Sequence, residues 1–235
     1  MNHSPNPEII RKMFSQVAAN YDKANSVLSV GIHHLWRKKL VKWSGAHLGQ
    51  SVLDCATGTG DLAIAFKKVV GTTGTVIGTD FCEDMLSFAP QKAQVKNLEI
   101  QFEQADVTQL KYADNQFDIS SISFGIRNVN NPSLGISEMA RVTKPGGYVM
   151  VLEFGQMSTP VIGPLYHFYS EKILPFLGGF VTGQKEAYKY LQESSAQFPC
   201  REKFVELMIR TGHFSKVEYI PVSGGIAYIY KGFRK

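Results

Sequence analysis

The sequence predicts an α/β protein whose β-sheet is doubly wound and mostly parallel. From Ser51 onward, short segments rich in β-branched and aromatic residues alternate with segments of helical periodicity, which is typical of βαβ units. With 235 residues, of which 44% are hydrophobic and 19% charged, the chain can form one full-sized core. We therefore expect a single domain over residues 1–235.

The strands and helices of this domain follow from the pattern in chain order. The predicted strands are Ser51–Asp54, Thr75–Asp80, Leu98–Gln104, Phe117–Phe124, Tyr148–Phe154, Lys216–Val222 and Ile226–Phe233. The predicted helices between the first five strands are Gly60–Val70, Glu83–Val95 and Pro132–Val142. No helix separates the last two strands, and the glycines at Gly224-Gly225 suit a hairpin turn, so the sheet should end in an antiparallel pair.

Three segments flank the α/β core of residues 51–154. Residues 1–48 form a helical leader, in which Asn6 and Pro7 begin an amphipathic helix and a second helix covers His33–His47. Residues 156–200 fit no βα rhythm and are predicted to be a helical insertion over the carboxyl ends of the strands, where open α/β sheets bind ligands. Residues 201–235 supply the last helix and the strand pair.

The charge balance limits the classes of partner. A net charge of +5 suits an anionic ligand or membrane surface but is too small to indicate nucleic acid. The densest basic group, Arg37–Lys39 with Lys42, is either a solvated helix face or a contact for phospholipid headgroups. Trp36 and Trp43 bracket this group, and tryptophan favours membrane interfaces.

The cysteines and the apolar segments indicate a cytoplasmic protein. Three scattered cysteines without metal-type spacing are typical of a reducing compartment, and no metal site is expected. The first ten residues lack the basic start and apolar core of a signal peptide. The longest apolar run, Val161–Val181, is interrupted by charged residues, so a membrane span is not expected.

The segment Val52–Asp61 is a strand that runs into a glycine-bearing turn and then a helix. Glycines let the backbone approach a ligand closely, and the helix amino end presents free N–H groups. An ordinary βα turn or a dinucleotide-binding loop has a similar pattern. An acid at the strand end would repel a pyrophosphate and suits a cationic amino acid group. The candidate cofactor contacts in this segment are Asp54, Gly58, Thr59 and Gly60.

Polar side chains also follow the next three strands. Asp80 ends the second strand and can accept hydrogen bonds from two ribose hydroxyls. After the third strand, Asp106 with Val107 can receive the exocyclic amine of adenine, and Ser123 ends the fourth strand. Either aspartate could instead cap a loop, but both falling at strand ends favours a nucleoside-binding site.

The order of these features over Ser51–Phe154 resembles the class I S-adenosylmethionine-dependent methyltransferases, which have a Rossmann-like fold. Several segments look like motifs of the menaquinone and ubiquinone biosynthesis C-methyltransferases: Tyr21–Ser29, His33–Trp36, Phe124–Val129, Arg141–Glu153, Tyr188–Leu191 and Phe198-Pro199. With these the resemblance spans nearly the whole chain. Ala24, Thr143 and Gly155 depart from the family pattern and leave the preferred quinone open.

The resemblance implies S-adenosyl-L-methionine as cofactor and methylation of a ring carbon of a reduced polyprenylated quinone precursor. Demethylmenaquinol is the expected acceptor, with the benzoquinol of the ubiquinone pathway as a second one. It implies that Arg127 stabilises a developing phenolate, with a surface ion pair as the alternative, and that Tyr21 and His33 or His34 relay protons. The acceptor-pocket candidates are Asn128, Tyr188, Tyr190, Ser195 and Phe198, of which the aromatic ones could equally be core of the insertion.

The partners expected on this basis are the polyprenyl quinol and, peripherally, the inner membrane surface. The leader helix and Val161–Val181 would form an apolar channel or lid for the polyprenyl tail. A homo-oligomer or a quinone-biosynthesis complex is compatible with the resemblance. Three alternatives stay open: a methyltransferase for another small molecule or lipid, a nicotinamide-dependent oxidoreductase, and a cofactor-binding scaffold without activity.

Overall fold

The described part of the chain, residues 5–156 and 184–235 of a computed structural model, is built around one β-sheet. Its strands are β1 (Ser51–Cys55), β2 (Thr75–Asp80), β3 (Gln101–Gln104), β4 (Phe117–Ser123), β5 (Thr143–Phe154), β6 (Phe214–Val222) and β7 (Ala227–Arg234). The helices are α1 (Pro7–Val17), α2 (Tyr21–Leu28), α3 (Ile32–Ser44), α4 (Asp61–Val70), α5 (Glu83–Leu86), α6 (Ala89–Gln94), α7 (Pro132–Val142), α8 (Lys185–Gln197) and α9 (Glu202–Arg210).

The strands lie in the order β3-β2-β1-β4-β5-β7-β6. The first five are parallel to one another, and β7 pairs antiparallel with both β5 and β6. The predicted doubly wound sheet with an antiparallel end is therefore confirmed. Because the strand order reverses between β1 and β4, the crevice at their carboxyl ends is the place where such folds bind ligands.

Helices cover both faces of the sheet. In β1, Val52 and Leu53 are both fully buried but belong to different core clusters, because successive side chains of a strand point to opposite faces. The cluster around Leu53 includes residues of α7 and α9, whereas the one around Val52 includes residues of α3 and α4. Both β1 and β4 are buried along most of their length, although β1 contains Asp54 and β4 contains Asp118 and three serines.

The leader helix α1 begins as the sequence predicts. The Asn6 Oδ1 atom accepts hydrogen bonds from the backbone N–H of Glu8 at 2.9 Å and of Ile9 at 3.3 Å, and Pro7 occupies the first helical position. This helix packs on α5, where Phe14 contacts a small cluster that contains Cys82 and Met85. The leader is thus attached to the loop and helix that follow β2.

The described structure differs from the prediction in several places, and strand β3, for example, begins at Gln101 rather than Leu98. The predicted helix Glu83–Val95 is divided into α5 and α6, because Pro90 cannot continue a helix from the preceding turn. Strand β5 begins at Thr143 rather than Tyr148, since Thr143 already pairs with Phe117 across a register shift.

The predicted helix His33–His47 corresponds to α3, which ends at Ser44, where Gly45 adopts a left-handed conformation with φ of 77°. Helix α2, which precedes it, was not predicted. At the C-terminal strand pair, a short 3₁₀ turn at Ser223–Gly225 replaces the simple hairpin turn.

The predicted insertion, residues 156–200, is described only in part. Residues 157–183, and with them Val161–Val181, lie outside the described residues. The remainder contains α8, whose residues Ala187 and Leu191 pack against Ala24 and Leu28 of α2. No described helix combines the length and apolarity needed to cross a bilayer.

Candidate functional site

The loop after β1 is held in a strained conformation by Asp54. This carboxylate is 1% exposed and accepts hydrogen bonds from Thr57 Oγ1 at 2.6 Å and Ser121 Oγ at 2.7 Å. Between them, Ala56 has a φ of 48°, which is uncommon for a residue with a Cβ atom. Burial raises the pKa of Asp54 to about 6. Asp54 therefore lies beneath the loop and shapes it, and does not line the cavity above.

Asp80 connects this loop to the end of β2. Its Oδ2 atom accepts from the Gly58 backbone N–H at 2.7 Å, and its Oδ1 atom accepts from that of Cys82 at 2.8 Å. A carboxylate has about four acceptor sites, so two remain for a ligand. Burial raises the pKa of Asp80 to about 6, which leaves the group mostly ionised at neutral pH.

A cavity of about 170 Å³, here called the polar cavity, lies at the carboxyl ends of β1, β2 and β4. Its lining includes Gly58, Asp80, Asp106, Val107 and Ser123, five of the residues predicted to contact the cofactor. Thr59 and Gly60 lie below it: Thr59 Oγ1 donates to Asp22 Oδ1 at 2.6 Å, and Gly60 packs between Ala89 and Phe102.

The polar groups of this cavity fit a nucleoside. Among the described residues, the buried Ser123 Oγ atom has no hydrogen-bond partner. The Oδ1 atom of Asp106 accepts from the N–H and Oγ1 of Thr108, both at 2.8 Å, which leaves its Oδ2 atom without a described partner. Ribose hydroxyls on Asp80 and an exocyclic amine on Asp106 would satisfy these acceptors. This set of hydrogen-bonding groups therefore fits the adenosyl group that the sequence predicts.

Helix α1 covers the polar cavity, which the sequence did not indicate. Ile10, Arg11 and Phe14 are among its lining residues. Helix α1 contacts the loop after β2, since Ser15 Oγ lies 3.5 Å from Cys82 Sγ, and Cys82 Sγ lies 3.8 Å from the Arg11 carbonyl oxygen. The leader helix thus closes over the site rather than extending from the domain.

A second and larger cavity of about 370 Å³, here called the apolar cavity, adjoins the first. Both cavities are lined by Phe14, Tyr21 and Phe124, so these side chains stand between them. The backbone of Phe124 has a φ of 58° and is fixed by a hydrogen bond from its N–H to the Leu152 carbonyl at 2.7 Å. Strain of this kind concentrates at functional sites. The arrangement suits a reaction between a group in each cavity.

Arg127 lies in the wall of the apolar cavity and is 8% exposed. Its Nη1 atom donates to Glu153 Oε1 and to the Phe124 carbonyl oxygen, both at 2.7 Å. Its Nε atom is buried and has no partner among the described residues. The alternative interpretation of Arg127 as a surface ion pair is wrong, because the pair is buried.

Glu153 is the principal site residue that the sequence analysis missed. It is 1% exposed, at the carboxyl end of β5, and its Oε1 atom also accepts the backbone N–H of Phe154 at 2.9 Å. The signal was present, since one acid interrupts the otherwise apolar run Val149–Phe154. Because buried acids are paired in proteins, an acid at this position predicts a basic partner.

Tyr21 and His33 both line the apolar cavity, and Tyr21 lines the polar cavity as well. The His33 ring is 5% exposed, with Nδ1 at 2.5 Å from Ser29 Oγ. Burial, assisted by the positive charge of Arg37, lowers the pKa of His33 to about 4. His33 is therefore neutral at pH 7, and because the low pKa makes its imidazole a weak base, the ring is better suited to ordering water than to holding a proton.

The residues predicted for the acceptor pocket divide into two groups. Tyr190 lines the apolar cavity, and its hydroxyl donates to Asn128 Oδ1 at 3.1 Å, which brings these two together beside Arg127. Ser195 and Phe198 line neither cavity: Ser195 Oγ donates to the Leu191 carbonyl at 2.6 Å, and the Phe198 ring packs on Phe204. The side chain of Tyr188 lies outside the described residues.

Ion pairs join α2 and α3 to α4 and α6. Asp61 pairs with Lys92 at 2.5 Å and with Arg37 at 3.3 Å, and Lys92 also pairs with Asp22 at 2.6 Å. His33, His34 and Asp61 place possible metal ligands within 4.8 Å of one another. Two cations already neutralise Asp61, which disfavours a metal ion there and indicates a structural role for the cluster.

Gly125 allows the ends of β1 and β4 to approach each other. A Cβ atom there would lie 2.5 Å from Ala56 Cβ, so Gly125→Ala should displace the strained loop. We expect a loss of roughly 1–3 kcal/mol in the free energy of unfolding, as for other overpacked sites. Urea titration measures it, with Gln91→Ala on exposed α6 as the control. Equal midpoints for the two variants would show that the loop tolerates the extra atom.

Comparison with known proteins agrees with this geometry. The ubiE/COQ5 methyltransferase family matches residues 2–234. The protein named "Ubiquinone/menaquinone biosynthesis C-methyltransferase UbiE" of Bdellovibrio bacteriovorus is 72% identical, over 98% of each chain. A protein of the same name from Francisella tularensis is 42% identical, over 94% of this chain and 89% of its own.

Solved structures share the fold at much lower identity. An S-adenosylmethionine-dependent methyltransferase from Thermotoga maritima superposes with a TM-score of 0.67 and 19% identity, over 95% of this chain and 99% of its own. One from Aquifex aeolicus gives 0.65, also at 19% identity, over 90% and 96% of the two chains. At such identities the likeness shows the Rossmann-like methyltransferase fold alone.

Proposed function

The chain belongs to the ubiE/COQ5 methyltransferase family, as its motifs predict, and from this premise we propose that it methylates a ring carbon of a reduced polyprenylated quinone precursor. S-adenosyl-L-methionine is the methyl donor, and demethylmenaquinol is the first acceptor, with the ubiquinone-pathway benzoquinol as the second. The observation that carries this proposal is the pair of adjoining cavities, one fitted to a nucleoside and one apolar, with a buried arginine in the wall of the second.

The cofactor is held by the polar cavity. Asp80 accepts hydrogen bonds from the two ribose hydroxyls, and Asp106 accepts one from the adenine amine. The Ser123 hydroxyl, which has no partner within the described chain, forms a hydrogen bond with the cofactor. Asp54 acts through the loop, because its two hydrogen bonds fix the conformation that presents Gly58. When bound, S-adenosylmethionine supplies an activated methyl group on a sulfonium ion.

The acceptor ring lies in the apolar cavity. The volume of this cavity is at the lower end of the range of roughly 300–1,000 Å³ that small-molecule pockets occupy. That volume accommodates a quinol ring and the start of a tail. Phe124 and Tyr21 stand where this cavity meets the polar one, and they orient the ring towards the donor. Positioning of this kind supplies much of the rate, since an ionised quinol carbon is already electron-rich.

Arg127 stabilises the phenolate form of the acceptor. Glu153 fixes the guanidinium through Nη1, and Nε, which has no partner among the described residues, leaves a donor for a ring oxygen. A buried cation in an apolar wall acts strongly on a developing oxyanion. His33, neutral at pH 7, and Tyr21 order the water or relay the protons that leave the ring.

Binding of the cofactor should depend on pH through Asp80. The pKa of this group is about 6. Asp80 must be ionised to accept hydrogen bonds from two hydroxyls, so the affinity for the cofactor should fall as the pH drops from 7 to 5. Isothermal titration with S-adenosylhomocysteine measures this, and circular dichroism checks that the chain stays folded. The pKa of Asp54 is similar, so the series is repeated with Asp54→Asn. If the affinity stays the same between pH 7 and pH 5, the role of Asp80 is contradicted.

The proposed activity is tested by transfer of a labelled methyl group to chemically reduced demethylmenaquinone and to the matching benzoquinol. We expect label in both quinols, faster in the naphthoquinol, and none in the oxidised quinones, because only the reduced ring has a nucleophilic carbon. Tight cofactor binding with no label in either quinol would refute the quinol assignment and favour another small-molecule acceptor.

A further inference from the structure

The turn between α2 and α3 exposes four aliphatic side chains. Val30 is 91% exposed and Leu35 60%, while Val27 and Ile32 are 49% and 37% exposed. Single exposed aliphatic residues are ordinary, but several on one turn indicate an interaction surface. We call these four residues the apolar tip.

The apolar tip has a strained backbone at its most exposed point. Val30 has a φ of 50°, a conformation in which a β-branched residue is a genuine outlier. The left-handed conformation continues at Gly31, and the chain is held there by a hydrogen bond from the Gly31 N–H to the Ser26 carbonyl at 2.9 Å. Asparagine or glycine would adopt this backbone with less strain. An apolar side chain presented outward against such strain points to a function outside the fold.

The apolar tip is also the rim of the apolar cavity. Leu28, Ser29 and His33 line that cavity, and so do Val30 and Ile32 of the tip itself. The same turn therefore faces outward on one side and encloses the proposed acceptor site on the other. A partner docked on the tip would be in contact with the mouth of the cavity.

Lysines accompany the tip along the outer face of α3. Lys38, Lys39 and Lys42 are exposed and follow Leu35 at three, four and seven residues, so all four share one face of the helix. Lys38 and Lys42 border a groove that also contains Lys68 and Lys96. Trp36, in contrast, is buried, with Nε1 donating to Ser223 Oγ at 2.8 Å, so it is not the interfacial anchor that the sequence suggested. We call Lys38, Lys39 and Lys42 the basic stripe.

We propose that the apolar tip inserts into an anionic phospholipid bilayer while the basic stripe contacts the lipid phosphates. Apolar side chains beside a row of lysines have the chemistry of an interfacial membrane anchor, in which aliphatic groups enter the acyl boundary and cations attract anionic lipids. Docked in this way, the mouth of the apolar cavity opens onto the acyl layer. A polyprenyl tail can then stay in the bilayer while its ring enters the site. Only this last step rests on the proposed function.

Binding to vesicles without cofactor or quinol tests the docking by itself. Co-sedimentation with phosphatidylglycerol-containing vesicles is compared with phosphatidylcholine vesicles, for the full chain and its variants. Lys38→Gln with Lys42→Gln should weaken binding to the anionic vesicles about 25-fold, at about fivefold for each lysine. Val30→Asn with Leu35→Gln should weaken it at least tenfold, because the aliphatic groups no longer enter the acyl layer. Val30→Asn also relieves the backbone strain, so misfolding will not imitate the effect.

The matched controls are Lys111→Gln with Lys203→Gln, and Ile209→Gln, which change exposed residues on other faces of the chain. These should bind vesicles like the unchanged protein. Equal affinity for both vesicle types, or unchanged binding by the tip and stripe variants, would overturn the proposal. So would a loss of stability in Leu35→Gln, which would show that the tip packs within the folded chain, or a loss of self-association measured by sedimentation equilibrium, which would assign the tip to a second copy.

A separate comparison of substrates keeps this proposal distinct from the proposed function. The variant with Leu35→Gln, Lys38→Gln and Lys42→Gln should methylate a water-soluble short-tailed quinol at the usual rate. It should be at least tenfold slower on a long-tailed quinol embedded in anionic vesicles. Equal rates on both substrates would overturn the docking role while leaving the methyl transfer intact.

Discussion

Asp80→Ala is expected to weaken the binding of S-adenosylmethionine by roughly 10²–10⁴-fold, since two charge-assisted hydrogen bonds of about 1.5–3 kcal/mol each are lost. Loss of the carboxylate also frees the Gly58 and Cys82 N–H groups that it holds at 2.7 and 2.8 Å, so the loop loses its anchor to β2. Isothermal titration with S-adenosylhomocysteine measures the effect directly.

The matched control for Asp80→Ala is Asp84→Asn, which changes an exposed acid on the adjoining helix α5. Asp84 does not line the polar cavity, so its replacement should leave the affinity within a factor of two or so. If Asp80→Ala bound the cofactor as tightly as Asp84→Asn, the assignment of the polar cavity to the ribose would be wrong.

Arg127→Ala should lower kcat by about 10²–10³-fold, the usual effect of removing one oxyanion-stabilising donor. It should also lower stability by roughly 3–5 kcal/mol, because Glu153 is left as an unpaired buried charge. The ion pair is almost completely shielded, with side chains that are 5% and 2% exposed, so solvent screening does not reduce this cost. A methyl-transfer assay measures kcat, and urea titration measures the free energy of unfolding.

A double variant separates the chemical role of Arg127 from its structural one. Arg127→Met with Glu153→Gln removes both charges, and replacing a buried pair by neutral groups of similar volume is often tolerated. This variant should recover most of the stability that Arg127→Ala loses, while its kcat stays low. Recovery of activity together with stability would show that Arg127 only supports the fold.

The sequence predicts the sheet because segments rich in β-branched and aromatic residues alternate with segments of helical periodicity. Asn6 with Pro7 and the strand β4 carry their signals locally, and both elements lie where they were expected. The division of the predicted helix Glu83–Val95 is also predictable from the sequence, since Pro90 lies within it. The early start of β5 is not predictable from the sequence, because it depends on the pairing of Thr143 with Phe117 of another strand.

The site was predictable where strand ends determine it. Asp80, Asp106 and Ser123 meet at one cavity because parallel strands bring their carboxyl ends to the same edge. Asp54 supports its own loop through contacts with Thr57 and Ser121, which no linear pattern reveals. The pairing of Arg127 with Glu153, 26 residues apart, and the closure of α1 over the cavity are likewise tertiary contacts.

The most direct test of carbon methylation is to locate the transferred methyl group in the product. The enzyme is supplied with S-adenosylmethionine carrying a ¹³C-labelled methyl group and with chemically reduced demethylmenaquinone, and the extracted quinone is examined by ¹³C NMR. We predict a single labelled methyl bonded to a ring carbon, greatly reduced with Asp80→Ala at limiting S-adenosylmethionine and greatly reduced with Arg127→Ala. A labelled methoxy group, or label found only outside the quinone, would contradict the account.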